Sequence, residues 1–204
     1  MKQKFIEELK FAYEASGRGM IGFNGFIGEL EEGGFFTAPC STQHHLCKEG
    51  GLLEHSLNVE KEAVRIAECL NYENIASVSI VALLHDVGKM GQFRKANYVP
   101  NYVKDGRPTK AEPMQKYKIS ENKPYATNEK LLYVPHEIRS IQIASQYLDL
   151  TEEENFAILQ HNGMYGDLKY SLNGKETPLQ MIIHFADMWC SRVVEKGDKI
   201  HGNN

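Results

Sequence analysis

From Ile75 to Leu84 the chain is apolar apart from two serines, and it then reads His85-Asp86-Val87-Gly88-Lys89. A helix that is apolar on nearly every side has to lie at the centre of a domain. Its terminal imidazole and carboxylate are carried inward with it. Burying those groups is costly unless they are paired or bind a metal. A neutral imidazole and a carboxylate are both ordinary ligands for divalent zinc, manganese or iron. A His-Asp dipeptide alone is common, so the weight comes from its company. His55 stands in Gly-Gly-Leu-Leu-Glu-His-Ser, and Asp187 in His-Phe-Ala-Asp-Met-Trp.

Helical periodicity surrounds this run. Residues 3–15 place Phe5, Leu9 and Ala12 on one side of an amphipathic helix, and Ile21 to Leu30 forms a second; both read as packing elements. After Gly50-Gly51, the positions Leu52, Ser56, Val59, Ala63, Ile66 and Leu70 step by three and four, with His55 at the edge of that face. Ile75 to Val87 is the central buried helix, and Gly88 suits its C-terminal cap. His136 to Leu148 returns to helical spacing through Ile138, Ile141, Ala144 and Leu148. Thr151-Glu-Glu-Glu154 is a capping box opening a short helix through Phe156, Leu159 and His161, which Asn162-Gly163 ends. Tyr165 to Gly174 reads as a loop. Thr177-Pro178 supplies an N-cap and a first-turn proline for a last helix reaching about Glu195. The tail after Gly197 reads as disordered.

Residues 91–130 differ in character. They hold prolines, tyrosines and nine basic against four acidic residues, a local charge of +5 in a chain of −4. Tyr98 to Lys104 and Gln115 to Ile119 read as strands around Asp105-Gly106-Arg107-Pro108, a β-hairpin excursion. The expected fold is mainly α, one domain with a small β-hairpin insertion.

Composition excludes several classes. The net charge of −4 gives no general attraction to nucleic acid or to acidic membranes. No apolar run approaches the roughly 20 residues that span a bilayer. The charged N-terminus does not read as a signal peptide. Cys40, Cys47, Cys69 and Cys190 have no close pairing, so free thiols and a cytoplasmic location are expected. No GxGxxG or Walker loop, GxSxG elbow or HExxH motif is present.

The order His55, His85-Asp86, Asp187 on helical segments resembles the ligand set of the HD-domain metal-dependent phosphohydrolases, over residues 36–195. His136 in Val-Pro-His-Glu and His161 in Gln-His-Asn-Gly fit the subset that binds a second metal; many such sequences have a second histidine where this chain has Asn162. The resemblance implies an HD-domain helical bundle over 36–196, with 1–35 a helical appendage packed on it, 91–130 its basic insertion and 197–204 a flexible tail. It implies one metal on His55, His85, Asp86 and Asp187, and Asp86 bridging to a second on His136 and His161. The cations would be Mn, Fe, Zn, Ni or Co.

A bound divalent cation lowers the pKa of water to about 7, and two can clamp a phosphoryl displacement. Asp86 and Lys89 are then the catalytic candidates, with Lys89 a point charge for a phosphate oxygen. Arg94, Lys95, His45 and Tyr165, with Asp167, are candidate substrate contacts. The substrate expected is a nucleotide or another small phosphate ester, cleaved at a phosphomonoester or phosphodiester bond, with no stable nucleic-acid complex. The alternatives are a di-iron oxygenase and a non-catalytic nucleotide-binding module. His184 reads as a core hydrogen-bonder, and His44 and His201 as surface residues.

Overall fold

The computed structural model describes residues 1–110 and 112–195. His201 and the tail after Gly197 lie outside the described residues. Eight α-helices and three two-stranded antiparallel sheets occur among those described. The helices are α1 (Lys2–Ala15), α2 (Phe23–Gly33), α3 (Gly51–Cys69), α4 (Ile75–Leu84), α5 (His136–Ala144), α6 (Glu152–Leu159), α7 (Lys169–Leu172) and α8 (Pro178–Arg192). None is long and apolar enough to cross a membrane.

The apolar run forms α4, and every residue from Ser77 to Leu84 is buried. Helices α1, α3, α6 and α8 all pack on it. Phe5 and Leu9 of α1 share one core with Leu52 and Val59 of α3, Val78 and Leu83 of α4 and Ile182 of α8. Asn74 caps α4 by accepting from the Ser77 backbone N–H. Thr151 and Glu154 form the expected capping box on α6, and Thr177 caps α8 ahead of Pro178.

Glu154 has a second use. Its carboxylate is fully buried, yet Arg18 donates to both oxygens at 2.6 and 2.7 Å and Ser77 donates to Oε1 at 2.7 Å. A buried charge needs this degree of satisfaction. It ties the α1–α2 connection to α4 and α6.

Strands β1 (Gly91–Gln92) and β2 (Lys95–Ala96) form a two-residue hairpin. Its loop residues Phe93 and Arg94 both take positive φ, the twist such hairpins need. Strand β3 (Tyr98–Pro100) pairs with β6 (Tyr125–Thr127), and β4 (Tyr102–Asp105) with β5 (Lys116–Ile119). The expected strands are therefore present, but Tyr98 to Lys104 is split at Asn101. Its two halves pair with different partners.

Three expectations need correction. Leu70 does not stay on the buried face of α3; the helix ends at Cys69 and Asn71 turns the chain with φ of 54°. The stretch from Tyr165 to Gly174 contains one helical turn, α7, pinned by buried Leu172. Gly88 is not a left-handed cap. Helix α4 stops at Leu84, and Val87–Met90 forms a 3-10 turn in which Gly88 is the point of closest approach to α5. A Cβ at Gly88 would lie 2.1 Å from the His136 carbonyl oxygen and 2.6 Å from the Arg139 Cβ. Ser140 completes the contact. Its hydroxyl accepts from the Gly88 N–H at 2.8 Å and donates to the His85 carbonyl at 2.7 Å.

Replacing Gly88 by alanine should force α5 away from this turn. Overpacking of this kind costs about 1–3 kcal/mol, read as a lowered melting temperature in thermal unfolding. An unchanged melting temperature would show that α5 is not pressed against the turn.

Candidate metal centre

Five segments deliver polar side chains to one depth in the core. His55 comes from the second turn of α3, and His85 and Asp86 follow the last residue of α4. His136 opens α5, His161 lies just beyond α6, and Asp187 projects from α8. Asp86 thus sits in the turn after α4, where its carboxylate can reach both sides.

Its two oxygens face different partners. Oδ2 is 3.3 Å from His55 Nε2 and 3.5 Å from His85 Nε2, and the same His55 nitrogen is 3.2 Å from Asp187 Oδ1. Oδ1 is 3.1 Å from His136 Nε2 and 3.6 Å from His161 Nε2. Those last two nitrogens are 3.3 Å apart. Ligands around one cation with bonds of about 2.0–2.2 Å are separated by roughly 3–3.5 Å, so these spacings suit metal coordination.

Three imidazoles are held in one tautomer. His85 Nδ1 donates to the Ala82 carbonyl at 2.7 Å, and His161 Nδ1 to the Ile158 carbonyl at 2.8 Å. His55 Nδ1 lies 3.0 Å from both oxygens of Glu195, which can only accept. Each ring's Nε2 is therefore the nitrogen turned toward the centre. Among the described residues, His55 Nε2, His85 Nε2 and Asp86 Oδ1 are buried with no hydrogen-bond partner. Buried polar atoms without partners are rare and expensive. Here they converge, and an all-His/carboxylate donor set is what a divalent transition metal takes.

The charge balance points the same way. Burial alone would raise the Asp86 carboxyl, but Lys89 and His85 outweigh it and hold it well below the usual carboxylate range. Burial also opposes ionised Asp187, and His55 holds that carboxyl well below its ordinary value. Burial would lower His55, yet the acidic groups around it, Cys40, Asp187, Asp86 and Glu195, push it well above its ordinary value. Burial, then His85, lowers His161 to about 3, so its ring is a neutral donor. A divalent cation held by these donors would supply the same kind of compensation as the His55 proton and the Lys89 ammonium.

The other candidates divide. Lys89 is not a solvated residue past a helix end. Its side chain is 16% exposed and its ammonium donates to Asp86 Oδ2 at 2.6 Å. His45 is close, its ring centroid 5.0 Å from that of His55. Tyr165 is exposed beside Asn162 and His184 in a pocket of about 100 Å³ that Asp187 also lines, with the Arg192 guanidinium 4.3 Å over its ring. Arg94 is paired with Glu32 of α2, and Lys95 is exposed on β2. His184 hydrogen-bonds the His161 carbonyl at 2.9 Å, as its position suggests.

Sequence reasoning missed the supporting groups. Glu195 orients His55 and is itself held by Asn58 Nδ2 at 3.1 Å. Glu137 lies 3.3 Å from His136 Nδ1 and accepts from Asn162 at 3.0 Å. Asn162 thus supports the His136 neighbourhood from outside. Tyr98 is a wall residue, lining one cavity with Gly88 and His136 and another with Lys89. A carboxylate next to His136 in the sequence was a usable signal for Glu137; nothing local could have found Glu195, 140 positions from its partner.

Substituting Asp86 by alanine should remove most bound metal, measured by elemental analysis after dialysis, because both donor groups lose their common carboxylate. His136→Ala should spare the group around His55. Chelation should also lower the melting temperature, since a ligand at a hundred times its Kd stabilises the folded state by about 2.7 kcal/mol. Full metal retention by the Asp86 variant would mean that the donors do not act together.

A profile of the HD domain matches residues 52–188, more than half of the chain. No curated protein and no solved structure gives a significant match. The matched span runs from the start of α3 into α8 and contains the histidine and aspartate donors that converge on Asp86, and the chain belongs to the HD-domain metal-dependent phosphohydrolase superfamily.

Proposed function

We propose that this protein is a metal-dependent phosphohydrolase that cleaves a phosphomonoester or phosphodiester bond of a nucleotide or another small phosphate ester. The observation carrying this reading is the division of Asp86, whose two oxygens each face a separate group of imidazoles. That arrangement suits a carboxylate shared by two cations. His55, His85, Asp86 and Asp187 are the ligands on one side, and Asp86, His136 and His161 those on the other. Bound divalent cations supply Lewis acidity and bring the pKa of water to about 7.

The chain's own residues set the rest. The carbonyls of Ala82 and Ile158 and the carboxylate of Glu195 keep three Nε2 atoms aimed inward. Lys89 places a positive charge at the mouth, where a phosphate oxygen can compete with Asp86 for it. Burial works against its charged form, and Asp86 holds the ammonium well above its ordinary pKa. Tyr98, near the base of the basic insertion, lines the cavities beside His136 and Lys89. Arg94 and Lys95 contribute at longer range, as part of a positive field that draws anions and weakens with salt.

A screen of nucleotides and generic phosphodiesters against Mn, Fe, Zn, Ni and Co tests the activity. Phosphate or nucleoside release is the expected outcome; two irons with oxygen uptake and no such release would replace this reading with an oxygenase. With a substrate in hand, Lys89→Met should lower kcat/KM by more than tenfold, since a charge-assisted contact is worth about 1.5–3 kcal/mol. Replacing Arg94 and Lys95 together by alanine should raise KM only a few-fold and flatten its salt dependence, with metal content unchanged. Equal effects of the two substitutions would remove Lys89 from the site.

A further inference from the structure

A second group of donors stands on the far side of His55. The connection between α2 and α3 brings Cys40 and His45 against the chain just beyond α8. Cys40 Sγ is 3.2 Å from His45 Nε2, and His45 Nε2 is 3.8 Å from Glu195 Oε2. The donor atoms of Cys40, His45 and His55 all lie within 4.8 Å of one another. Cys40 is fully buried and the Glu195 side chain is 1% exposed, while that of His45 is 15% exposed. The group is therefore enclosed on the core side and open only past His45.

With zinc–sulfur and zinc–nitrogen bonds of about 2.3 and 2.0 Å, two ligands of one tetrahedral zinc stand roughly 3.5 Å apart. The Cys40–His45 spacing, 3.2 Å, is a little under that value, and the His45–Glu195 spacing, 3.8 Å, is a little over the roughly 3–3.5 Å of a nitrogen–oxygen pair. The two oxygens of Glu195 are also differentiated. Asn58 donates to Oε1, and Oε2 is the oxygen turned toward His45. One can hold the His55 ring while the other binds a cation.

We propose that Cys40, His45 and Glu195 form a separate site for a thiophilic divalent cation, zinc above all, on the Nδ1 side of His55. A thiolate–imidazole–carboxylate set differs in kind from the His/carboxylate centre around Asp86, and sulfur selects zinc over the harder cations. Binding exchanges the Cys40 S–H for a sulfur–metal bond and releases its proton to solvent, with no change of oxidation state. Three protein ligands would leave one position of a tetrahedral zinc to solvent. The cation would staple the α2–α3 connection to the end of α8 and fix the carboxylate that orients His55.

Cobalt is the probe, because a thiolate ligand gives Co(II) a near-ultraviolet charge-transfer band that nitrogen and oxygen ligands do not. The full chain, stripped of metal and titrated with Co(II), should develop this band. Cys40→Ser should lose it and bind roughly one cobalt fewer per chain, as expected for loss of a three-ligand site. Should that variant fail to fold by circular dichroism, His45→Gln should still weaken the affinity of the band-forming cobalt by more than tenfold. Absence of the band at saturating cobalt, its survival in Cys40→Ser, or an unchanged affinity in His45→Gln would overturn the proposal. The result is independent of turnover: phosphate release without the band rejects this site alone, and the band without release rejects the hydrolase reading alone.

Discussion

An ionised carboxylate cannot enter an apolar core uncompensated, and Asp86 is fully buried. The fold is arranged around that requirement. Helix α4 is apolar on all sides, so α1, α3, α6 and α8 surround it, and its end is carried to the middle of the molecule. The elements that cover α4 must then supply polar partners at the same depth. Helix α3 supplies His55 and the turn after α6 supplies His161, while α5, packed on the turn that follows α4, supplies His136. The packing that covers α4 and the turn after it therefore also brings the site together. The lack of a side chain at Gly88 belongs to the same constraint, since α5 reaches Asp86 only if its backbone can press on that turn.

The imidazoles are oriented by two kinds of contact with different consequences. His85 and His161 each bond the carbonyl three residues back, at the end of the preceding helix. Such carbonyls lack partners within the helix, so a histidine just past a helix end caps the helix and fixes its own tautomer together. This accounts for both rings standing at helix C-termini. His55 lies inside α3, where backbone carbonyls are already used, and must find its acceptor elsewhere. Glu195 answers that need from the other end of the chain. Outer partners of this type keep a ligating ring in register and commonly change metal affinity by 10–100-fold when removed.

Much of this was legible in the sequence because it depends on local spacing. The step of three and four in α3, the apolar run of α4, the Thr151–Glu154 capping box and Thr177-Pro178 each encode an element through neighbouring residues. The His and Asp donors were legible because they interrupt apolar segments, where polar groups need a reason. What escaped depends on tertiary approach. Gly88 looks like a cap from its neighbours and is a contact point only because α5 arrives there. Cys40 and Glu195 are unremarkable in sequence and meet through the fold. Arg94 appeared available beside the motif, but its hairpin twist turns it to Glu32.

The positive charges near the centre fall into two classes, and the difference bears on how the proposed anionic substrate would be handled. Lys89 is nearly enclosed and fixed on Asp86, so its effect is short-ranged and little screened. The lysines of β4 and β5 are exposed on a ribbon whose two strands are exposed along their whole length. An isolated two-stranded ribbon is marginal in water. This one continues from the β3–β6 pair through Asn101, whose N–H donates to the Pro124 carbonyl and whose carbonyl accepts from Ser120. Its base is thus anchored at Tyr98, beside Lys89. On the proposed reading, attraction by the ribbon would fall with ionic strength while the contact at Lys89 would be little screened, so drawing an anion in and holding it would rest on separate residues.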